Sequence, residues 1–375
     1  MKIVVLMDSF KGTLSSVEAC RAVAAGLSSY DSALDIVSYP IADGGEGSLD
    51  ALMQPLKAKW IPVKVTGPLP YMQADAGFSF SPSSEIAVVE MAAASGITLL
   101  KPEQLNPLET TTFGTGELIR AACEMKPDKI LLAVGGSATV DCGVGAASAL
   151  GWKFKDKNGK RLIYGGQTLS QIASIERPVN LNLPPIDVLC DVENPLCGPK
   201  GAAAVFAPQK GADARCVEIL EAGMLNLCGI VKKQFAIDMN IKHAGAAGGL
   251  AAAAVAFMNA KLVSGIDRFI ELLKLEEIFR SADMIITGEG KFDSQSLDGK
   301  VVSGLAALAA KTHTKMFVLA GVVDVQPQEY GRIGIIDAMG CVNETTPSRQ
   351  VLAAPFEHLK RLSYCLAEKH QLGNI

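Results

Sequence analysis

The sequence predicts an α/β protein of two domains, the first carrying a parallel sheet assembled from both ends of the chain. Three observations predict it. Apolar strand-like runs alternate with helical patterns near both ends. Several of those runs leave through loops rich in glycine and polar residues. The middle of the chain breaks the alternation, and its 375 residues exceed the roughly 250 to 300 at which a single core stops growing.

Residues 2–7 (KIVVLM) read as a buried strand, and Ser15-Ser16-Val17-Glu18 is a capping box opening a helix to about Leu27. Residues 34–41 repeat the strand signal, and a helix begins near Ser48, after Asp43-Gly44-Gly45-Glu46-Gly47. Residues 60–91 are hairpin-like, their short strands separated by Gly67-Pro68, Gly77 and Ser81-Pro82. Residues 129–134 form an apolar strand that leaves through Gly135-Gly136-Ser137-Ala138-Thr139 toward a small-residue helix after Gly143. Residues 152–185 are loop-rich, and 186–190 is again a strand. Residues 283–287, 315–320 and 335–342 add strands, with a helix from about Val301. A last helix opens at Thr346-Pro347, and Pro355 should kink or split it. The expected borders are 1–61 with 281–375 for the first domain and 62–280 for the second.

A net charge of −4, with no stretch interleaving Lys or Arg with aromatics, argues against nucleic acid as a partner. The opening apolar run meets Asp8 too early for a signal segment, and residues 244–258 are too short to span a bilayer. A cytoplasmic chain with no membrane partner is expected. The nine cysteines include no C-x-x-C pair and fit buried free thiols in a reducing compartment. The four histidines are scattered, so a His/Cys zinc site is not expected.

In open α/β sheets ligands bind at the carboxyl ends of strands, where loops converge. Four such exits combine glycine with polar side chains: Asp8-Ser9-Phe10-Lys11-Gly12-Thr13, Asp43-Gly44-Gly45-Glu46-Gly47, residues 135–141, and Gly288-Glu289-Gly290-Lys291-Phe292-Asp293. A fifth places Asp191 just after a strand. No G-x-x-x-x-G-K-[ST] occurs, and Gly143-Val144-Gly145-Ala146-Ala147-Ser148 lacks the third glycine of a dinucleotide fingerprint. Gly135, Gly136, Ser137 and Thr139 nevertheless offer backbone N–H donors and two hydroxyls at a helix approach, as a phosphate cradle requires. The other reading of that stretch is a plain turn with a helix cap.

Glu289, Asp293 and Asp298 crowd one glycine-rich stretch with charge that would repel a phosphate. A divalent ion resolves the conflict, because Mg²⁺ is commonly held by one or two carboxylates together with phosphate oxygens. The competing account of Asp43, Glu46, Glu289 and Asp293 is carboxylates favoured by a helix dipole. For Lys11 and Lys291 it is a solvated surface lysine, and for Asp191 an Asx turn.

With these residues in view, the sequence resembles the bacterial-type (class I) glycerate kinases from Met1 to near its C-terminal end. The matching segments include Asp8-Ser9-Phe10-Lys11, Ala42-Asp43-Gly44-Gly45-Glu46-Gly47, Glu90-Met91-Ala92-Ala93-Ala94-Ser95-Gly96, Gly135-Gly136-Ser137-Ala138-Thr139, Pro208-Gln209-Lys210-Gly211-Ala212, Gly245-Ala246-Ala247-Gly248-Gly249 and Gly288-Glu289-Gly290. The resemblance implies two α/β domains, one a discontinuous Rossmann-like parallel sheet, with a cleft between them. It also implies ATP-dependent phosphorylation of D-glycerate with Mg²⁺, in this class usually at the 2-hydroxyl. Two departures stand out. The family's loop typically continues Thr-Asn-Asp-Gly-Gly where this chain has Thr139-Val140-Asp141-Cys142-Gly143, and Lys291 stands where Arg is common.

The expected reaction is in-line transfer of the γ-phosphoryl group, catalysed mainly by positioning and charge neutralisation. Asp43, Glu289 and Asp293 are the metal candidates, directly or through water. Asp191 is the candidate acceptor of the hydroxyl proton. Lys11 and Lys300 would neutralise the glycerate carboxylate or the transferring phosphate, and Asp8, Ser9 and Lys291 would contact substrate or phosphate. Ser137 and Thr139, with the amides around Gly135 and Gly136, would hold nucleotide phosphates. A homodimer is among the expected assemblies. Three readings stay open: another small hydroxy acid as substrate, the 3-phosphate as product, and a protein that closes on an anion without turnover.

Overall fold

The computed structural model of the chain describes every residue except 46, 163, 164, 298, 299, 344, 374 and 375. Met1–Asp43, Asp50–Pro55 and Gly265–Ile375 form one compact unit, and Gly44–Leu49 with Leu56–Ser264 the other. The later border falls at 264/265, where sequence reasoning suggested 280/281. The helices Gly265–Leu272 and Leu275–Arg280 both pack on the helix Val301–Thr312, which keeps them with the first unit.

In chain order the two main sheets use β1 (Lys2–Met7), β2 (Asp35–Ser38), β3 (Lys59–Thr66), β4 (Gln73–Ser81), β5 (Ile86–Glu90), β6 (Lys129–Ala133), β7 (Ile186–Leu189), β8 (Lys261–Val263), β9 (Met284–Gly288), β10 (Lys315–Ala320) and β11 (Ile335–Gly340).

The first unit holds a five-stranded sheet in the order β11-β10-β9-β1-β2, parallel throughout. Its central strands are apolar along their length because helices cover both faces of such a sheet; Ile3 through Met7 are fully buried. The capping box forms as the sequence suggests: Glu18 N donates to Ser15 Oγ at 3.2 Å, and Ser15 N donates to Glu18 Oε2 at 2.9 Å. The helix it opens, α1 (Ser16–Tyr30), packs against a helix spanning Pro355–Lys369. Gly26 permits the approach, since a Cβ there would stand 2.0 Å from Lys360 O and from Ser363 Oγ. Pro355 does split the terminal helix: Ser348–Ala353 ends at Ala354, whose φ of −147° is not helical, and Pro355 starts the next.

The second unit holds a six-stranded sheet in the order β8-β7-β6-β5-β4-β3. β5 to β8 run parallel, while β3, β4 and β5 pair antiparallel, which is the hairpin character legible in residues 60–91. The loop-rich stretch carries a small three-stranded antiparallel sheet of Lys153–Lys155, Arg161–Leu162 and Ser174–Glu176. No helix among the described residues is long and apolar enough to cross a membrane. The apolar run near residue 250 is instead the core segment Ala246–Met258, helical apart from a break at Ala247, Gly248 and Gly249, whose φ values are positive.

Candidate active site

In the first unit the carboxyl ends of β1 and β9 lie side by side, because Met7 pairs with Gly288 and Asp8 N donates to Gly288 O at 2.9 Å. Asp8, Ser9 and Lys11 follow β1, and Glu289, Lys291 and Asp293 follow β9. With Asp43, after β2, and Lys300, at the start of the helix Val301–Thr312, they line one cavity of about 510 Å³. An apolar wall that sequence reasoning missed completes it: Val322, Cys341, Val342, Val351, Leu352 and Pro355. Only the strand-end position of Val342 could have drawn attention to any of them.

Burial, and after it like charges at close quarters, sets the electrostatics. The Asp8 carboxyl is pushed up to about 8, first by burial and next by the charge of Asp43, with Glu289 adding; the Ser9 amide and Lys11 pull the other way. Glu289 is likewise raised by burial, an effect opposed by the Ser296 hydroxyl and Lys300 and reinforced by Asp43 and Asp293. Its Oε1 is buried without a hydrogen-bond partner. Lys291 lies 2.9 Å from Asp324 and 3.3 Å from Asp293, in ion pairs with both. Asp293 Oδ1 also accepts Gln295 N at 3.0 Å, so this residue shapes its own turn.

Whether these residues suit a metal follows from the same facts. Among the described residues no three Asp, Glu, His or Cys side chains stand close enough to hold an ion. Asp43, Glu289 and Asp293 therefore do not make an all-protein cage. They fit Mg²⁺ shared with phosphate oxygens, which needs only one or two carboxylates. The orphaned Glu289 Oε1 and the Asp8 and Glu289 carboxyls, raised by burial and by neighbouring acids, mark a place where a cation would lower the cost of ionisation.

The remaining predicted residues belong to the second unit. β6 and β7 are parallel neighbours with Ala133 opposite Leu189, so residues 135–139 and Asp191 leave the same edge of the sheet. Asp191 is half-buried. The loop after β6 is held along its length: Ile97 N donates to Gly136 O at 2.8 Å, Ala138 N to Ser95 O at 2.9 Å, and Thr110 Oγ1 to Ala138 O at 3.1 Å. Asp141 closes it, accepting from Thr112 N at 2.8 Å, Thr112 Oγ1 at 2.9 Å, Gly143 N at 3.1 Å and Gly145 N at 3.2 Å. Burial still raises its carboxyl, against those bonds.

The two departures in this loop have physical consequences. Val140 is fully buried in the core, where an apolar side chain needs no partner. Cys142 adopts a φ of +50°, the left-handed conformation that glycine takes without strain. Glu90, outside every set of candidates, accepts from Gly47 N at 3.0 Å and Leu49 N at 3.2 Å and so shapes the loop after Asp43. Glu46 and Asp298 lie outside the described residues.

The Glycerate kinase family model matches residues 3–371. The chain is 37% identical over 380 residues to "Glycerate kinase" of Bacillus subtilis (strain 168), covering 100% of this chain and 98% of that one. It is 40% identical over 325 residues to "Glycerate 2-kinase" of Escherichia coli (strain K12), covering 86% and 85%. A crystal structure described as that of a glycerate kinase 2 from Salmonella typhimurium LT2 superposes with a TM-score of 0.85 at 35% identity, over 100% of this chain and 99% of that one.

Proposed function

The chain belongs to the glycerate kinase family, and from that premise we propose that it transfers the γ-phosphoryl group of ATP to the 2-hydroxyl of D-glycerate. The observation that carries the reading is the convergence of Asp8, Asp43, Glu289, Lys11 and Lys300 on one cavity at the carboxyl ends of parallel strands. Glycerate and phosphate are both anions, so lysines in that cavity attract them. The carboxylates suit the cation that accompanies a nucleotide triphosphate.

In this reading Asp43 and Glu289, with Asp293 beside them, would hold Mg²⁺ together with phosphate oxygens. Bound there, the ion supplies neutralisation of phosphate charge. Lys11 and Lys300 hold the glycerate carboxylate or the transferring phosphoryl group, and Asp8, Ser9 and Lys291 line its approach. Ser137 and the Gly136 amide bind nucleotide phosphates, whereas Thr139, expected from the sequence to join them, is fully buried, and the Gly135 amide donates to Gly44 O at 3.2 Å. Asp191 accepts the proton of the 2-hydroxyl as its oxygen bonds to the γ-phosphorus and the bond to the ADP oxygen breaks. Free thiols at all nine cysteines support a reducing, cytoplasmic setting.

Incubation with ATP, Mg²⁺ and D-glycerate, followed as ADP release, tests the reaction; no ADP above background would overturn it. Product fed straight to enolase tests the position. Turnover without added mutase supports the 2-phosphate, and an absolute need for mutase assigns the 3-phosphate instead.

A further inference from the structure

Lys210 is the one lysine among the described residues whose side chain is buried in the core, 2% exposed. Its Nζ donates to Ser137 Oγ at 2.7 Å and to Thr139 O at 2.8 Å, both in the loop after β6. A lysine in such a place is costly, because burial opposes its charge. Burial lowers its ammonium to about 7, with the nearby Asp141 carboxylate opposing the shift. The ammonium and the neutral amine both keep N–H donors, so the grip on the loop survives either state.

The chemistry of the grip is directional. Ser137 Oγ accepts from Nζ, so its own O–H is left to donate elsewhere. Thr139 O is drawn toward Nζ, and in a planar trans peptide the Val140 N–H then points to the opposite side. A second element braces the same atoms. Gly248, at a φ of +62°, approaches so closely that a Cβ would stand 2.1 Å from Thr139 O and 2.7 Å from Val140 Cα, and Cys142 N donates to Gly248 O at 3.1 Å. Thr139 Oγ1 is buried and has no hydrogen-bond partner.

We propose that Lys210 is a positioning residue for nucleotide binding: it holds Ser137 and the Thr139 carbonyl so that the Ser137 hydroxyl hydrogen is presented to a phosphate oxygen of ATP. This rests on the reading of residues 135–139 as the phosphate loop. Lys210 touches no reacting atom, and its effect reaches the nucleotide through Ser137.

Steady-state kinetics and thermal unfolding of Lys210→Met, Lys210→Gln, Ser137→Ala and the Lys210→Met/Ser137→Ala pair test it. Lys210→Met should raise the KM for ATP on the order of 10-fold or more, as expected for a lost hydrogen bond to a charged group. The KM for glycerate should stay within about twofold, since only the nucleotide side is touched. Lys210→Gln, which keeps N–H donors, should recover part of the loss. The double variant should be no worse than the more severe single one, because both changes remove the same contact. A folded Lys210→Met with unchanged KM for ATP, or equal rises for ATP and glycerate, overturns the proposal. Failure of both Lys210 variants to fold overturns it too, leaving a lysine with a purely structural role. If Ser137→Ala alone leaves the KM for ATP unchanged, the phosphate-loop reading fails. If it weakens ATP binding while Lys210→Met does not, that reading stands and only the role of Lys210 falls.

Discussion

Asp8 and Asp43 line the same cavity, and after burial the charge of Asp43 is the largest influence holding the Asp8 carboxyl up at about 8. Between pH 3.8 and 8 the folded protein therefore keeps a proton on Asp8 that the unfolded chain has lost.

That difference makes stability fall as pH rises through the window, and the penalty is complete above pH 8. Asp8→Asn removes the ionisation. In the absence of divalent ions its melting temperature should exceed that of the parent by more at pH 8.5 than at pH 5. An equal difference at both values would mean that Asp8 titrates like an exposed carboxyl.

Asp293→Asn separates a metal-side role from a turn-forming one. Asn keeps the side-chain oxygen that accepts Gln295 N, so stability should change little. If the charge serves Mg²⁺, the Mg²⁺ concentration for half-maximal activity should rise, and kcat should fall on the order of 10²-fold, as for other positioned electrostatic groups. Normal kcat at ordinary Mg²⁺ would return Asp293 to its turn and to its ion pair with Lys291.

Asp191→Asn removes the assigned proton acceptor while preserving shape. We expect kcat to fall on the order of 10²- to 10⁴-fold, with the KM for ATP nearly unchanged. An equal loss in kcat/KM for ATP with kcat intact would assign Asp191 to binding.

Gly26→Ala tests the packing of the first unit away from the cavity. The added Cβ collides with Lys360 O, a backbone atom that cannot swing aside, so the contact between α1 and the last helix must open. The expected cost is about 1 to 3 kcal/mol, typical of overpacking. Urea unfolding should show a lower midpoint, while kcat below the transition stays near that of the parent.

Short-range signals were readable in the sequence by itself. The capping box at Ser15 and Glu18 needs only neighbours along the chain, and the runs before Asp8 and Glu289 are strands because a parallel sheet covered on both faces requires apolar residues at every position. The loops after those strands could be picked out as candidates for a site because carboxyl ends of parallel strands converge, and Asp8, Asp43, Glu289 and Lys300 do line one cavity. Tertiary structure decided what depends on partners distant in the chain. Nothing local to Lys210 announces its burial; folding joins it to Ser137, 73 positions away. The hydrogen bonds from Thr112 to Asp141 and the ion pair between Lys291 and Asp324 likewise join residues far apart in the sequence. Local propensity acts within a turn of helix or a strand pair, whereas burial and pairing belong to contacts that exist only once the chain has folded.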